Sequence, residues 1–341
     1  MRAVRLHAVG ARLAVEEAPQ PDPHGTEVLV RVAGCGVCRT DLAIVDGTQS
    51  RVELPVILGH EVAGWVEASG PEATLDGALP ALGDPVVVSG GWGCGACDEC
   101  RRGDEQRCER GRAPGFQADG GYAELMLVPH PRHLVALGSL DPVHAAPLAD
   151  AGVTPYRAVR RAAPWLRDGA RTLVIGAGGL GQFAIQHLRR SAHGGTLRIV
   201  VSEPDARRRD RAGALGADAA PADDGPAALR EALGSQADVV LDLVGSDRTL
   251  RNAAELVAPG GLVMLVGEAG GTQRFGFESP AVESWLTTTA WGSVAELRAV
   301  VAMAQRGELG WSVVRVPLAE AQAAHDRLRA GEVDGRLVLV P

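Results

Sequence analysis

The residues best equipped for chemistry are cysteines. Cys94, Cys97 and Cys100 follow C-x-x-C-x-x-C spacing, and Cys108 comes seven residues later. Zinc favours four soft donors in a tetrahedron, and four thiols so spaced match a closed zinc site. Two positive charges against four thiolates leave it net negative and without an open position. It can hold a lobe together, roughly residues 90–112, but is a poor Lewis acid. A second set is more open. Cys38-Arg39-Thr40-Asp41 packs a soft ligand, a cation, a hydroxyl and a carboxylate into four residues, and His60 follows within Leu58-Gly59-His60-Glu61. A catalytic zinc keeps three protein ligands and one open position. Cys38 and His60 are candidates for two of the three. Taken singly, each also reads as an ordinary core residue.

A third stretch addresses a nucleotide. Thr172–Ile175 is a short apolar strand pattern that runs into Gly176-Ala177-Gly178-Gly179-Leu180-Gly181, and residues 182–188 then have helical periodicity. The next strand, 197–202, ends at the acid Glu203. That is the context of a dinucleotide-binding loop. Gly176 permits the turn, Gly178 lets a pyrophosphate approach the helix N-terminus, and Gly181 lets helix and strand pack closely. Glu203 would bind the adenosine ribose hydroxyls and repel a 2′-phosphate, which favours NAD over NADP. Arg207 or Arg208 would offset that repulsion.

The elements that must position these groups fall into two kinds. Residues 28–32, 65–68 and 86–88 read as short strands separated by turns, with little helix expected before about residue 140. From residue 172 onward, apolar strands (238–242 and 262–266) alternate with Ala-rich helical stretches. The fold class is therefore α/β, with a strand-rich domain and a doubly wound parallel-sheet (Rossmann) domain. Helices are expected over 294–305 and 318–329. A final strand, 336–340, is expected to return to the first domain.

Bulk properties exclude several classes. The chain has 341 residues, 46% hydrophobic and 22% charged, with a net charge of −8. Nucleic acid and anionic membranes are not expected partners. Lysine is absent, which excludes Schiff-base chemistry and leaves cationic roles to arginine and histidine. No signal peptide and no apolar run of membrane-spanning length is seen, so a cytoplasmic location is expected. Clustered thiols in a reducing compartment read as metal ligands.

Gly36-Val37-Cys38-Arg39-Thr40-Asp41, Gly59-His60-Glu61, the four-cysteine lobe and the glycine loop occur in a fixed order. In this the chain resembles, over essentially its whole length, the zinc-dependent alcohol dehydrogenases of the medium-chain dehydrogenase/reductase family. The resemblance implies a GroES-like catalytic domain (1–152 and 293–341) and a Rossmann domain (153–292). It also implies two zinc ions per chain, NAD, and a homodimer or homotetramer. It makes Asp150 the third ligand of the catalytic zinc, where many relatives have Cys; this departure is similar to bacterial secondary alcohol dehydrogenases. Arg39 and Arg336 would clamp the cofactor pyrophosphate, Arg208 would lie near the ribose and Thr154 beside the nicotinamide. Gly179, Leu180, Val244 and Val266 complete the cofactor set. Asp41 would orient His60, Glu61 would stand behind the zinc as a transient ligand, and Cys35 would not be a ligand.

The implied reaction is hydride transfer between NAD(H) and a secondary alcohol or ketone. Zinc lowers the pKa of the alcohol and Thr40 takes its proton. In several relatives a His three residues past the threonine ends the relay; here it is Ala43. Ala43 and Ala290 are small and Trp291 is large, which fits a roomy, aromatic-bordered pocket. The alternatives are a polyol or primary alcohol/aldehyde dehydrogenase of the same family, a zinc-free quinone reductase and, from another class, a nucleic-acid-binding or non-catalytic zinc protein.

Overall fold

Runs of Val, Leu and Ile, broken by Gly and Pro, favour strands because branched side chains pack well on a pleated surface. The computed structural model describes residues 1–74, 80–277 and 279–341. It divides into two compact units, one of Met1–Val153 with Trp291–Pro341 and the other of Thr154–Ala290.

The first unit is strand-rich. Its main sheet runs in the order Val313–Pro317, Arg336–Val340, Val28–Gly36, Glu61–Ser69, Pro85–Val88 and Leu134–Ala136, and Leu125–Val128 also pairs with Val28–Gly36. The strand Val28–Gly36 is buried at every position except Arg31. Hence its sequence is nearly continuous in apolar and small residues rather than alternating. Its register against Glu61–Ser69 shifts at Leu29/Val30 and at Val32/Gly34, so the strand bends as it approaches Gly36. Arg336–Val340 pairs antiparallel with it, Val338 opposite Gly36 and Leu339 opposite Cys35. The core beneath is built from Val4, Leu6, Val30, Val62, Tyr122 and Met126, among others.

The region before residue 140 holds little helix, as expected, yet what it holds lies at the site. Arg39–Val45 and the short Asp98–Arg101 are helices. Cys38 is the extended residue that caps the first helix, and its N–H donates to the carboxylate of Asp41 at 2.8 Å. An acid on the first turn is also favoured by the helix dipole. Leu42 and Ile44 are buried, a stripe too short to register as helical periodicity.

The second unit is a parallel sheet in the order Arg198–Ser202, Arg171–Ile175, Ala237–Asp242, Val257–Leu265, Trp285–Thr288. Period-two alternation sends Val174, Leu241 and Met264 to one core, and Leu173, Val240 and Val263 to the other. Both faces are thus buried, as a doubly wound fold requires. Beyond Arg198–Ser202 the next strand is reduced to a single bridge, Val200 to Ala219. Among the described residues no helix is long and apolar enough to cross a membrane.

Candidate active site and metal centres

Three buried groups converge in the first unit. Cys38 caps the helix Arg39–Val45, His60 immediately precedes the strand Glu61–Ser69, and Asp150 follows the 3-10 turn Ala146–Ala149. Oδ2 of Asp150 is 3.7 Å from the Cys38 sulfur and 3.6 Å from His60 Nε2. A tetrahedral zinc with ~2.0–2.3 Å bonds has donor–donor edges of roughly 3.3–3.8 Å, so these spacings fit the ion. With Glu61, one donor atom from each of the four residues lies within 4.8 Å of the others. Burial lowers the proton affinity of His60, but Asp41, Asp150 and Cys38 outweigh it and raise it well above the usual range. Two acids and a sulfur around one imidazole are a surplus of negative charge that a divalent cation neutralises.

The flanking residues differ in reach. Asp41 Oδ1 faces His60 Nδ1 at 3.4 Å, although neither atom meets strict hydrogen-bond geometry. Burial raises the Asp41 pKa, and the His60 ring, His325 and the Cys38 N–H bring it below the ordinary value. Glu61 is fully buried; it accepts two N–H bonds from Arg336, one of them at 2.9 Å, and one from the Ala151 backbone at 3.2 Å. Burial raises the Glu61 pKa, and Arg336 only partly offsets it. Sequence reasoning aimed Arg336 at the cofactor; the partner it has in the structure is Glu61. Thr40 is half-buried, with Oγ1 3.6 Å from the Cys38 sulfur, and Arg39 is exposed. Phe116 and Trp291 stand beside the His60 ring, at centroid distances of 5.9 and 6.3 Å, and contact each other edge-on. Trp291 adopts φ +49°, a left-handed conformation uncommon for a bulky residue. Sequence reasoning noticed Trp291 by its size and missed Phe116, which carried no local signal. Cys35 lies outside the donor cluster, and burial pushes its thiol well above the usual range.

The second cluster is Cys94, Cys97, Cys100 and Cys108. The Cys97 sulfur is 3.4 Å from that of Cys100 and 3.7 Å from that of Cys108, and Cys94 is 3.9 Å from Cys100. The edge of a four-thiolate zinc site is roughly 3.8 Å, so this set fits as well. Backbone N–H groups of Ala96 and Cys97 lower the Cys94 thiol to about 6, whereas burial pushes Cys100 up to about 12. Arg132 braces the lobe, binding Glu105 and the Gly93 carbonyl.

In the second unit the glycine loop joins the strand Arg171–Ile175 to the helix Gly181–Arg189, with Gly179 and Leu180 leading into the first turn. Gly176 has φ +92°, and a Cβ on Gly181 would lie 2.1 Å from the Gly176 carbonyl. A Cβ on Gly178 would meet nothing within 4 Å, an open approach of the kind a pyrophosphate uses. Glu203 is buried and turned back on the loop, accepting from the N–H groups of Ala177 at 2.8 Å and Asp205 at 3.1 Å. Arg208 reaches within 3.8 Å of it. Val244 packs near Gly176, Val266 is buried after the strand Val257–Leu265, and Thr154 is buried in the helix Val153–Arg161.

Residues 24–139 match the model of the alcohol dehydrogenase GroES-like domain, and residues 215–339 that of the zinc-binding dehydrogenases. The D-arabinose 1-dehydrogenase (NADP(+)) of Saccharolobus solfataricus is 38% identical over 349 residues, covering 100% of this chain and 97% of that protein. An NAD-dependent alcohol dehydrogenase of Sulfurisphaera tokodaii is 36% identical, with 100% of both chains covered. The crystal structure of the Aeropyrum pernix alcohol dehydrogenase superposes with a TM-score of 0.91 at 33% identity, covering 100% of each chain. Domain models, relatives and fold agree with the two donor sets and the glycine loop: the chain belongs to the zinc-dependent alcohol dehydrogenases of the medium-chain dehydrogenase/reductase family.

Proposed function

We propose that the protein interconverts secondary alcohols and ketones with NAD(H). The observation that carries this reading is the convergence of Cys38, His60 and Asp150 on one buried point beside the Thr40 hydroxyl. These three residues would hold the catalytic zinc, and Cys94, Cys97, Cys100 and Cys108 the structural one. When bound, the catalytic metal supplies Lewis acidity that eases loss of the alcohol proton, and NAD(H) accepts or donates the hydride. Thr40 is the first group to take that proton. Ala43 offers no onward acceptor, so the proton passes from Thr40 to other groups or to water. Asp41 holds the His60 ring, and the Arg336 ion pair keeps the Glu61 carboxylate behind the donors. Gly176–Gly181 would hold the cofactor pyrophosphate. Glu203 would meet the ribose, with Arg208 alongside, while Thr154, Val244 and Val266 would line the nicotinamide side.

A second reading, a sugar or polyol dehydrogenase with NADP(H), has two supports. One is the similarity to D-arabinose 1-dehydrogenase (NADP(+)). The other is Arg208, 3.8 Å from a Glu203 whose oxygens already bind backbone N–H groups, with Arg207 paired to Asp205. A dimer is supported by the edge strand Trp285–Thr288, where Trp285 and Leu286 are exposed. The test follows NADH and NADPH oxidation over ketones and aldehydes, with aldoses and polyols assayed in the oxidative direction, together with a zinc count. Two zinc ions, ketone reduction with NADH, and loss of one zinc in Asp150→Ala are the expected outcome. Turnover confined to sugars with NADP selects the second reading, and two zinc ions retained in Asp150→Ala refute the ligand assignment.

A further inference from the structure

Asp41 has a contact that the metal centre does not explain. Its Oδ2 accepts from the Tyr122 hydroxyl at 2.9 Å, in addition to the Cys38 N–H, and the Tyr122 oxygen lies 3.2 Å from Nε2 of His325. Tyr122 is 0% exposed and His325 1%. His325 sits on the helix Ala321–Arg329, its ring edge-on to that of Tyr122 at 5.8 Å, with Ala321 and Ala324 in the surrounding core. An apolar side chain there would avoid the cost of burying an imidazole.

The direction of the bonds follows from proton counting. A phenol has one proton. Burial, with the Asp41 charge beside it, raises the Tyr122 pKa well above its ordinary value, so the phenol keeps that proton. The carboxylate is the stronger acceptor, so the proton points at Asp41. The Tyr122 oxygen must then accept, and His325 must carry its hydrogen on Nε2. The order is His325 Nε2–H to Tyr122, Tyr122 O–H to Asp41 Oδ2, and Asp41 Oδ1 facing His60 Nδ1. We propose that His325 is a positioning residue for the metal centre, acting through Tyr122 on Asp41 and thereby on the orientation and donor strength of His60. This rests on reading Cys38, His60 and Asp150 as zinc donors. It extends the outer support of the ligand by two residues, to His325, 203 positions beyond Tyr122 in sequence.

The test uses the zinc-loaded protein challenged with a chromogenic chelator, following the two zinc ions as separate phases and using Asp150→Ala to assign the catalytic one. His325→Leu is expected to release the catalytic zinc about 3- to 10-fold faster, below the ~10–100-fold typical of a residue bonded directly to a ligand. The structural phase should not change. His325→Gln, which keeps a donor toward Tyr122, should restore most of the wild-type rate. Tyr122→Phe should reproduce the effect, and adding His325→Leu to it should change nothing further. Wild-type release from His325→Leu, or equal acceleration of both phases, overturns the proposal. If that variant fails to fold, the ¹⁵N spectrum of the wild-type histidines decides: an Nε2–H tautomer at His325 supports the network and an Nδ1–H tautomer refutes it. A wild-type protein with a single class of zinc would refute the metal reading itself.

Discussion

Acidification should destabilise the protein through His133, and the size of the effect can be worked out. His133 is 0% exposed, lies against the Trp92 ring at 6.2 Å, and has no hydrogen-bond partner at either ring nitrogen. Burial, with Arg132 and His130 nearby, lowers its pKa from 6.5 to about 3. The folded state therefore keeps the ring neutral at pH 5, where the unfolded chain would protonate it. The unfolded state binds more protons over this range, so the stability His133 contributes is fully present above about pH 6.5 and is lost as pH falls toward 3. Between pH 7.5 and pH 5 the loss is about 2 kcal/mol, the part of the pKa gap expressed by pH 5, and the rest is lost on further acidification toward pH 3. His133→Leu gives up no hydrogen bond and removes the titration. Urea unfolding of both proteins at the two pH values isolates the effect, because other titrating groups cancel in the comparison. The variant should gain about 2 kcal/mol relative to wild type on acidification. A difference that does not change with pH would mean that the ring titrates in the fold as it does in the unfolded chain, and a variant that loses ground on acidification would mean that Glu105, 3.7 Å from Nδ1, holds the ring protonated; either result would refute the reasoning.

Arg336→Met leaves the Glu61 carboxylate buried without its counter-charge, at a cost of about 3–5 kcal/mol. In a unit of this size that lowers Tm by about 10 °C, and adding Glu61→Gln should recover much of it; a loss below ~1 kcal/mol would mean the pair is solvated. Thr40→Ala should reduce turnover by about 10²-fold or more with two zinc ions retained, as expected for a proton acceptor; near-normal turnover would remove Thr40 from that role. Gly181→Ala, favourable by helix propensity alone, should instead cost about 1–3 kcal/mol because its Cβ meets the Gly176 carbonyl. Weakened NADH binding, read by fluorescence titration, would accompany it, and a raised Tm would show that the loop relaxes.

What was legible in the sequence was mostly local. The four thiols of the lobe are neighbours in the chain, so ligand type and spacing were enough. The helix Val294–Gln305 was readable to its end residues because its apolar period is unbroken; Ser293 and Glu296 cap it reciprocally. The glycine loop was readable because its turn, its open approach and its packing contact fall within six residues. The helix Arg39–Val45 was missed because two buried apolar residues define no period. Tyr122 and His325 carried no signal, since they reach Asp41 only through the tertiary path of the chain. The same holds for Arg336, whose bond to Glu61 spans 275 positions.

That long span bears on how the protein is made. Gly36 and Cys35 pair with Val338 and Leu339, so the strand carrying Arg336 can dock only after the whole Thr154–Ala290 unit has been synthesised. Pairings so distant in sequence form late, because the intervening loop must close before any contact compensates for it. The strands of the intervening unit pair only with one another and can fold earlier, which shortens that loop. Until Arg336 arrives, Glu61 is an acid without its counter-charge beside Cys38, His60 and Asp150. The four-thiol lobe has no such dependence. The two metal centres should therefore mature in sequence during refolding, with the lobe cysteines protected from alkylation before Cys38. Simultaneous protection would show that the catalytic donors assemble without their last strand.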